Sequence, residues 1–344
     1  MSARATITDV AAEAGVSIST VSLVMNGKGA VASATRSRVQ TAATRLGYTP
    51  SRTARGLAAG RTGNLGFVLR EDHFCQSEPF YTRVFLGAEF EARRRGLYVL
   101  LSTVPPRYGP DDAPRFLQEH TVDGIVVAGR VDDAFLDALA ASGIPFVLAD
   151  YAWRGAASVQ LDNEGGAALV AAHLAGRGHT RVGFLGADRD HPSMAARSAG
   201  FTAAMAALGH AVDPSFVVTR TGTADRGAGA DLAAALLDAP GRPTAVFCAN
   251  DALALGLMDA ARARGLDVPG DLAVVGFDDV EGAALAATPL TTVRVYKEQL
   301  GEVALGLLAE RSTSEREAAA EAARFARAPA LTRIATDLVV RASG

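Results

Sequence analysis

Residues 6–27, TITDVAAEAGVSISTVSLVMNG, hold two short helices joined by a tight turn. Thr6-Ile7-Thr8-Asp9 has the form of a capping box, in which a hydroxyl and an acidic side chain three residues apart satisfy each other's backbone N–H groups. Ile7, Val10, Ala11 and Ala14 then recur at helical spacing until Gly15, a residue suited to the left-handed turn that ends a helix. Ser17 can cap a second helix with Ile18, Val21, Val24 and Met25 as apolar positions and Ser19, Thr20, Ser22 and Asn26 as polar ones. A turn this tight fixes one helix against the other, the geometry of a helix-turn-helix, in which the second helix can enter a DNA major groove.

Beyond this motif a third helix carries Val39, Ala42, Ala43 and Leu46 on one face and stops at Gly47, before Tyr48-Thr49-Pro50. Residues 51–60, SRTARGLAAG, can form one more short helix, marginal alone because it is short and holds Gly56. Residues 1–61 carry eight basic against two acidic residues, a net charge of +6. The formal net charge of the whole 344-residue chain is −3, so the rest carries −9. A basic head on an acidic body favours a polyanion at one end and repels it elsewhere.

From residue 62 short apolar strands alternate with amphipathic helices, an α/β rhythm. Strands are expected at 65–69, 98–102, 124–128, 146–149, 159–162, 182–186, 216–219, 245–249 and 273–277, with helices following Phe80, Asn163, Ser193, Asp225 and Asn250. Their near-continuous apolar character points to parallel sheets covered on both faces. Such sheets bind ligands beyond the carboxyl ends of their strands, which singles out Asp150, Asp162, Asn250 and Asp278. Residues 311–328, RSTSEREAAAEAARFARA, read as a solvent-facing helical or flexible insert. Only Cys75 and Cys248 are present, in no C-x-x-C pattern, so buried free thiols are expected rather than disulfides or a zinc site.

The head and linker together, VASATRSRVQTAATRLGYTPSRTARGLAAGRTGNLGFVL included, resemble the lactose/galactose repressor family. The resemblance continues in order through DNEGGAALVAAHLAGRGHTRVGFLG, RSAGF, FCANDALALG, VVGFDD, PLTTVR and TDLVVR. It implies an all-α helix-turn-helix head and an α/β two-lobed body, periplasmic-binding-protein-like (type I), with parallel sheets. Ile18, Ser19, Thr20 and Leu23 would face the bases, and Thr6, Ser17, Thr20, Ser22 and Asn26 would contact phosphates. Where Ile18 and Leu23 stand, the family commonly has a polar or aromatic residue and an arginine. Neither Ile18 nor Leu23 can hydrogen-bond a base edge, though both can touch a thymine methyl. Residues 51–61 resemble the family's hinge helix, with Arg52 and Ala54 as DNA contacts and Leu57 as the apolar wedge inserted in the minor groove.

The resemblance further implies a chain that crosses between lobes near 161–163, 289–292 and 322–327. The expected domains are thus 1–50, the hinge 51–61, a first lobe of 62–162 and 291–324, and a second of 163–290 and 325–344. Effector contacts fall on Asp150, Arg197, Asn250 and Asp278, with Phe80 or Tyr81 as a wall; donors, acceptors and a flat ring suit a polyol. Trp153 could also stack on a ligand, but a lone tryptophan is more often core.

The function expected is a repressor of sugar-utilisation genes that binds pseudo-palindromic double-stranded operator DNA as a homodimer and is switched by a small carbohydrate. A purine or other metabolite is the alternative effector, and a solute-binding protein the alternative class. The latter would need a secretory signal where this sequence has the basic motif, so a cytoplasmic location is expected, with no membrane association. The closing TDLVVRASG has no leucine heptads, which favours a dimer over a tetramer. No enzyme and no cofactor are expected: Gly227-Ala228-Gly229 is followed by Leu232 where a dinucleotide fingerprint needs Gly or Ala, and no P-loop, nucleophile elbow or histidine metal spacing is present.

Overall fold

The computed structural model describes residues 5–25, 29–48, 61–73, 80–187, 191–318 and 331–344, with side chains of the 297–318 helix described as far as 312. Arg52, Ala54, Leu57, Asn26 and Cys75 lie outside the described residues. Two compact units emerge, 1–63 and 64–344.

The first unit is three helices, α1 (Ile7–Ala14), α2 (Ile18–Met25) and α3 (Ser33–Arg45). The capping box forms as expected: Asp9 N donates to Thr6 Oγ1 at 3.4 Å, while Thr6 N donates to Asp9 Oδ2 at 2.7 Å. Gly15 ends α1 with φ +62°, a conformation that costs a side-chain-bearing residue free energy. Val10, Val21 and Val39 are fully buried and meet at the centre of the three helices.

The second unit contains two six-stranded sheets. Its elements run β1 (Asn64–Arg70), α4 (Phe80–Arg94), β2 (Tyr98–Val104), α5 (Arg115–Gln118), β3 (Ile125–Ala128), α6 (Asp133–Ser142), β4 (Phe146–Ala149) and β5 (Ser158–Leu161). There follow α7 (Asn163–Gly176), β6 (Val182–Gly186), α8 (Pro192–Ala207), β7 (Val217–Thr219), α9 (Arg226–Leu237), β8 (Ala245–Cys248), α10 (Asp251–Ala263) and β9 (Ala273–Asp278). The last elements are α11 (Glu281–Leu285), β10 (Thr291–Arg294), α12 (Lys297–Ala318), β11 (Leu331–Ile334) and β12 (Asp337–Val339). Sheet order is β11-β5-β4-β3-β1-β2 in the first lobe and β12-β10-β9-β8-β6-β7 in the second. Every described pairing is parallel except β10 with β12. β6 and β9 are buried along their whole length, as strands covered on both faces must be.

The chain changes lobes three times, at places that differ in part from those expected. The first crossing is at Asp162, between β5 of one sheet and α7, which packs on α8, β10 and β12 of the other lobe. The second was expected at 289–292, with 291–324 in the first lobe; instead Thr291–Arg294 pairs with β9 inside the second sheet, and the crossing falls at 295–296. Only then does α12 enter the first lobe, where fully buried Leu300, Ala304, Leu305 and Leu308 pack it on α4, β3, β4 and β5. The third was expected at 322–327, but β11 still pairs with β5, so the chain returns to the second sheet at 335–336. The expected placement of residues 331–334 in the second lobe is corrected accordingly.

Close helix crossings lock each lobe. A Cβ on Gly301 of α12 would lie 1.8 Å from the Val84 carbonyl of α4, and one on Gly256 of α10 would lie 2.0 Å from that of Arg226 on α9. The expected insert begins as the end of α12, where Ser312 is buried; residues 319–330 lie outside the described set. Cys248 is a buried free thiol on β8. Trp153 packs beside Phe146, with Arg154 over its ring, and does not line the ligand-sized cavity described next. No single helix among the described residues is long and apolar enough to cross a membrane.

Candidate functional site

At the carboxyl ends of the strands, between the lobes, lies a cavity of about 440 Å³. That is within the range of small-molecule sites. All six residues expected to meet an effector line it: Phe80, Tyr81 and Asp150 from the first lobe, and Arg197, Asn250 and Asp278 from the second. Asp162, also at a strand end, instead caps α7 by accepting from Gly165 N at 3.0 Å.

Asp150 directly follows β4 and Asp278 ends β9, and both adopt left-handed backbone, φ +60° and +109°. Such backbone costs roughly 1–3 kcal/mol in a non-glycine residue and concentrates at functional sites. Both carboxylates are buried, and burial raises the pKa of each above the usual range despite the Arg197 charge. Asp150 accepts from Tyr81 Oη of its own lobe at 3.2 Å and from Ser193 Oγ of the other lobe at 3.0 Å, so the serine hydroxyl joins the lobes.

Arg197, 2% exposed on α8, is held from three sides. Its Nε donates to Asn163 Oδ1 at 2.8 Å, its Nη1 donates to the Ala249 carbonyl at 2.6 Å, and the same nitrogen stands 3.2 Å from Asp278 Oδ1. The guanidinium lies 3.7 Å above the Phe277 ring. A planar fork stacked on an aromatic face is fixed in orientation before any ligand arrives. Asn250 lines the cavity while capping α10: its Oδ1 accepts from Leu253 N at 2.9 Å and its Nδ2 donates to the Ala224 carbonyl at 2.8 Å.

Several wall residues escaped the sequence reading. His73 stacks on Tyr81 with ring centroids 4.9 Å apart, and burial together with the Arg70 charge lowers its pKa to about 4, which keeps it neutral near pH 7. Ser193 and His191 enter from the start of α8. Asn163 and Lys297 act from behind the wall; Lys297 Nζ donates to the Asp278 carbonyl and stands 5.9 Å from the Phe80 ring. The sequence signal was weak: only the strand-end rule could have pointed to the residues after β1, and nothing local marks Asn163 or Lys297.

In the head, Ser17 caps α2 by accepting from Thr20 N at 3.2 Å, and its hydroxyl also bonds those of Ser19 and Thr20. Ile18 and Leu23 are 49% and 42% exposed while Val21 and Val24 are buried, so α2 turns two large apolar side chains to solvent beside its hydroxyl row. Thr6 is exposed at the start of α1 and Ser22 is half-buried on α2.

Residues 6–51 match the model for bacterial regulatory proteins of the lacI family, and residues 171–343 match that for a periplasmic binding protein-like domain. The "HTH-type transcriptional repressor PurR" of Vibrio campbellii is 35% identical over 316 residues, covering 89% of this chain and 92% of its own. The chain belongs to the lacI family of bacterial regulatory proteins. The "Ribose operon repressor" of Escherichia coli is similar at 33% identity over 314 residues, covering 90% of this chain and 93% of its own. Among solved lacI-family structures, the lac repressor dimer bound to operator and the anti-inducer ONPF aligns with TM-score 0.80 and 26% identity over 99% of both chains. The "transcriptional regulator CelR-cellobiose complex" aligns with TM-score 0.71 and 30% identity over 99% of this chain and 100% of its own. The family makes this chain a ligand-responsive transcriptional repressor.

Proposed function

We propose that the chain is a cytoplasmic, dimeric repressor of sugar-utilisation genes, with its effector a small carbohydrate held in the interlobe cavity. The observation that carries this reading is the buried Arg197–Asp278 pair facing the same cavity as Asp150. Sugar hydroxyls both donate and accept, so carboxylate acceptors on both lobes beside a guanidinium donor can engage several hydroxyls at once. Phe80 and Tyr81, whose rings meet edge to face 4.9 Å apart, offer an apolar wall for a sugar face.

In the head, Thr6, Ser17, Ser19, Thr20 and Ser22 are the candidates for phosphate and base contact, with Ile18 and Leu23 reading thymine methyls. Asn26 and the hinge residues Arg52, Ala54 and Leu57 keep the roles implied by the resemblance. A dimer is supported by exposed Leu86 and Phe90 on α4 and Tyr98 and Leu101 on the edge strand β2. Two heads would then address two half-sites.

A purine effector is the second reading, favoured by the similarity to PurR repressors. A thermal-shift panel of monosaccharides, disaccharides and purine bases separates the two, because a ligand that binds only the folded chain raises its melting temperature by mass action. At 100 times its dissociation constant, a ligand adds about 2.7 kcal/mol. The expected result is a shift with one neutral sugar and none with purine bases. A shift with a purine base alone would replace the carbohydrate reading.

A further inference from the structure

The described part of the cavity wall holds more carboxylates than guanidiniums. Among its described residues the carboxylates are Asp72, Asp150, Asp225 and Asp278, and the guanidiniums are Arg70 and Arg197. Both guanidiniums already face a wall carboxylate: Arg70 Nε lies 2.5 Å from Asp72 Oδ1, and Arg197 pairs with Asp278. Asp150 is held by two hydroxyls and, among the described residues, lies in ion-pair contact with no guanidinium or ammonium. Lys297 turns its ammonium onto the carbonyl of Asp278 and is not part of the wall.

Helix amino ends are the other common seat for an anion, because their first N–H groups have no partner within the helix. Of the helices that begin at this cavity, α8, α9 and α10 each have a first-turn N–H taken by a side chain of the wall itself, while α4 starts at Phe80 and the residues before it lie outside the described set. His191 Nδ1 accepts from Ser193 N at the start of α8, Asp225 accepts from Ala228 N at the start of α9, and Asn250 accepts from Leu253 N at the start of α10. Among the described residues a phosphate entering the cavity would therefore meet the buried carboxylates of Asp150 and Asp278, paired guanidiniums and the capped starts of α8, α9 and α10.

We infer that the site admits uncharged polyols and rejects their phosphate esters and sugar acids, so that the effector is a free, unphosphorylated sugar. This inference rests on the carbohydrate reading above and narrows it. Placing like charges together in a desolvated site costs several kcal/mol, and each tenfold in affinity corresponds to about 1.4 kcal/mol. A discrimination of at least about 100-fold between a free sugar and its ester follows from these magnitudes.

The test is calorimetric titration of the full chain with matched pairs: D-ribose and D-ribose 5-phosphate, D-glucose and D-glucose 6-phosphate, D-fructose and D-fructose 1-phosphate. In the pair whose free sugar binds, the ester should bind at least about 100-fold more weakly. An ester that binds as tightly as its sugar, or more tightly, overturns the inference and leaves the carbohydrate reading standing; silence from all pairs and from the disaccharides of the thermal-shift panel removes both. Asp150→Asn should narrow the sugar-to-ester ratio by about tenfold or more. Asp225 is exposed and Asn caps a helix as well as Asp does, so Asp225→Asn supplies a second, folded variant that should move the ratio the same way. A ratio unchanged in both variants would show that charge is not what discriminates.

Discussion

Deleting residues 1–63 should abolish operator binding and leave a folded body of residues 64–344 that still binds the effector. The expected loss is at least about 10³-fold in operator affinity, the gap that separates specific from non-specific binding in such regulators. Two observations set this expectation. The division between the compact units falls at 63/64, so the cut severs neither core. The basic excess lies in residues 1–61, at +6, and what remains carries −9 and repels a polyanion. Fluorescence anisotropy of a labelled operator, over a range of salt concentrations, reads the result. Salt-sensitive DNA binding by the truncated body would show that the acidic unit carries a DNA surface of its own, and would sink the assignment of the head.

Arg197→Ala should abolish the effector response while operator binding in the absence of effector persists. The side chain contacts three acceptors at once, Asn163 Oδ1, the Ala249 carbonyl and Asp278 Oδ1, and it is 2% exposed. Its removal leaves Asp278 as a buried carboxylate without its ion partner, and breaking a buried pair from one side typically costs about 3–5 kcal/mol. Ligand affinity should fall at least about 100-fold, since the guanidinium both donates to hydroxyls and orients Asp278. Asp278→Asn keeps the shape and separates the two effects: it should weaken the ligand with a smaller loss of stability. Arg197→Lys should fail to rescue, because one ammonium cannot reproduce the planar fork or the stack on Phe277. Operator affinity with and without effector, together with melting temperature, distinguishes these outcomes. A variant of either residue with the full response would move that residue out of the binding site.

The head was legible because its signals are local. A capping box, a left-handed glycine and buried valines at 21 and 24 specify α1, the turn and α2 within some twenty residues. Nine strands could be read as short apolar runs, most of them buried, with β2 and β7 at the sheet edges covered only in part. β10, β11 and β12 could not: Thr291–Arg294 begins with two threonines, and β11 and β12 are short edge strands with exposed positions, so neither run nor alternation appears. Missing them displaced the second and third lobe crossings. For the cavity, the rule that parallel sheets bind ligands at their carboxyl ends found Asp150, Asn250 and Asp278. Residues whose roles depend on approach from another element escaped it. Ser193 meets Asp150 from the opposite lobe, Asn163 reaches Arg197 from α7, and His73 is brought against Tyr81 by the turn after β1.

We propose that occupancy of the interlobe cavity sets the affinity of the head for DNA. Only a ligand that binds one state better than the other can do so, and couplings of roughly 1–3 kcal/mol are typical. The direct measurement is the operator dissociation constant of the full-length protein, titrated at fixed salt without ligand and with a saturating concentration of the sugar found by thermal shift. A change of about 5-fold or more, absent in Arg197→Ala, is the predicted result. An operator affinity that stays the same while the sugar saturates the cavity would contradict it.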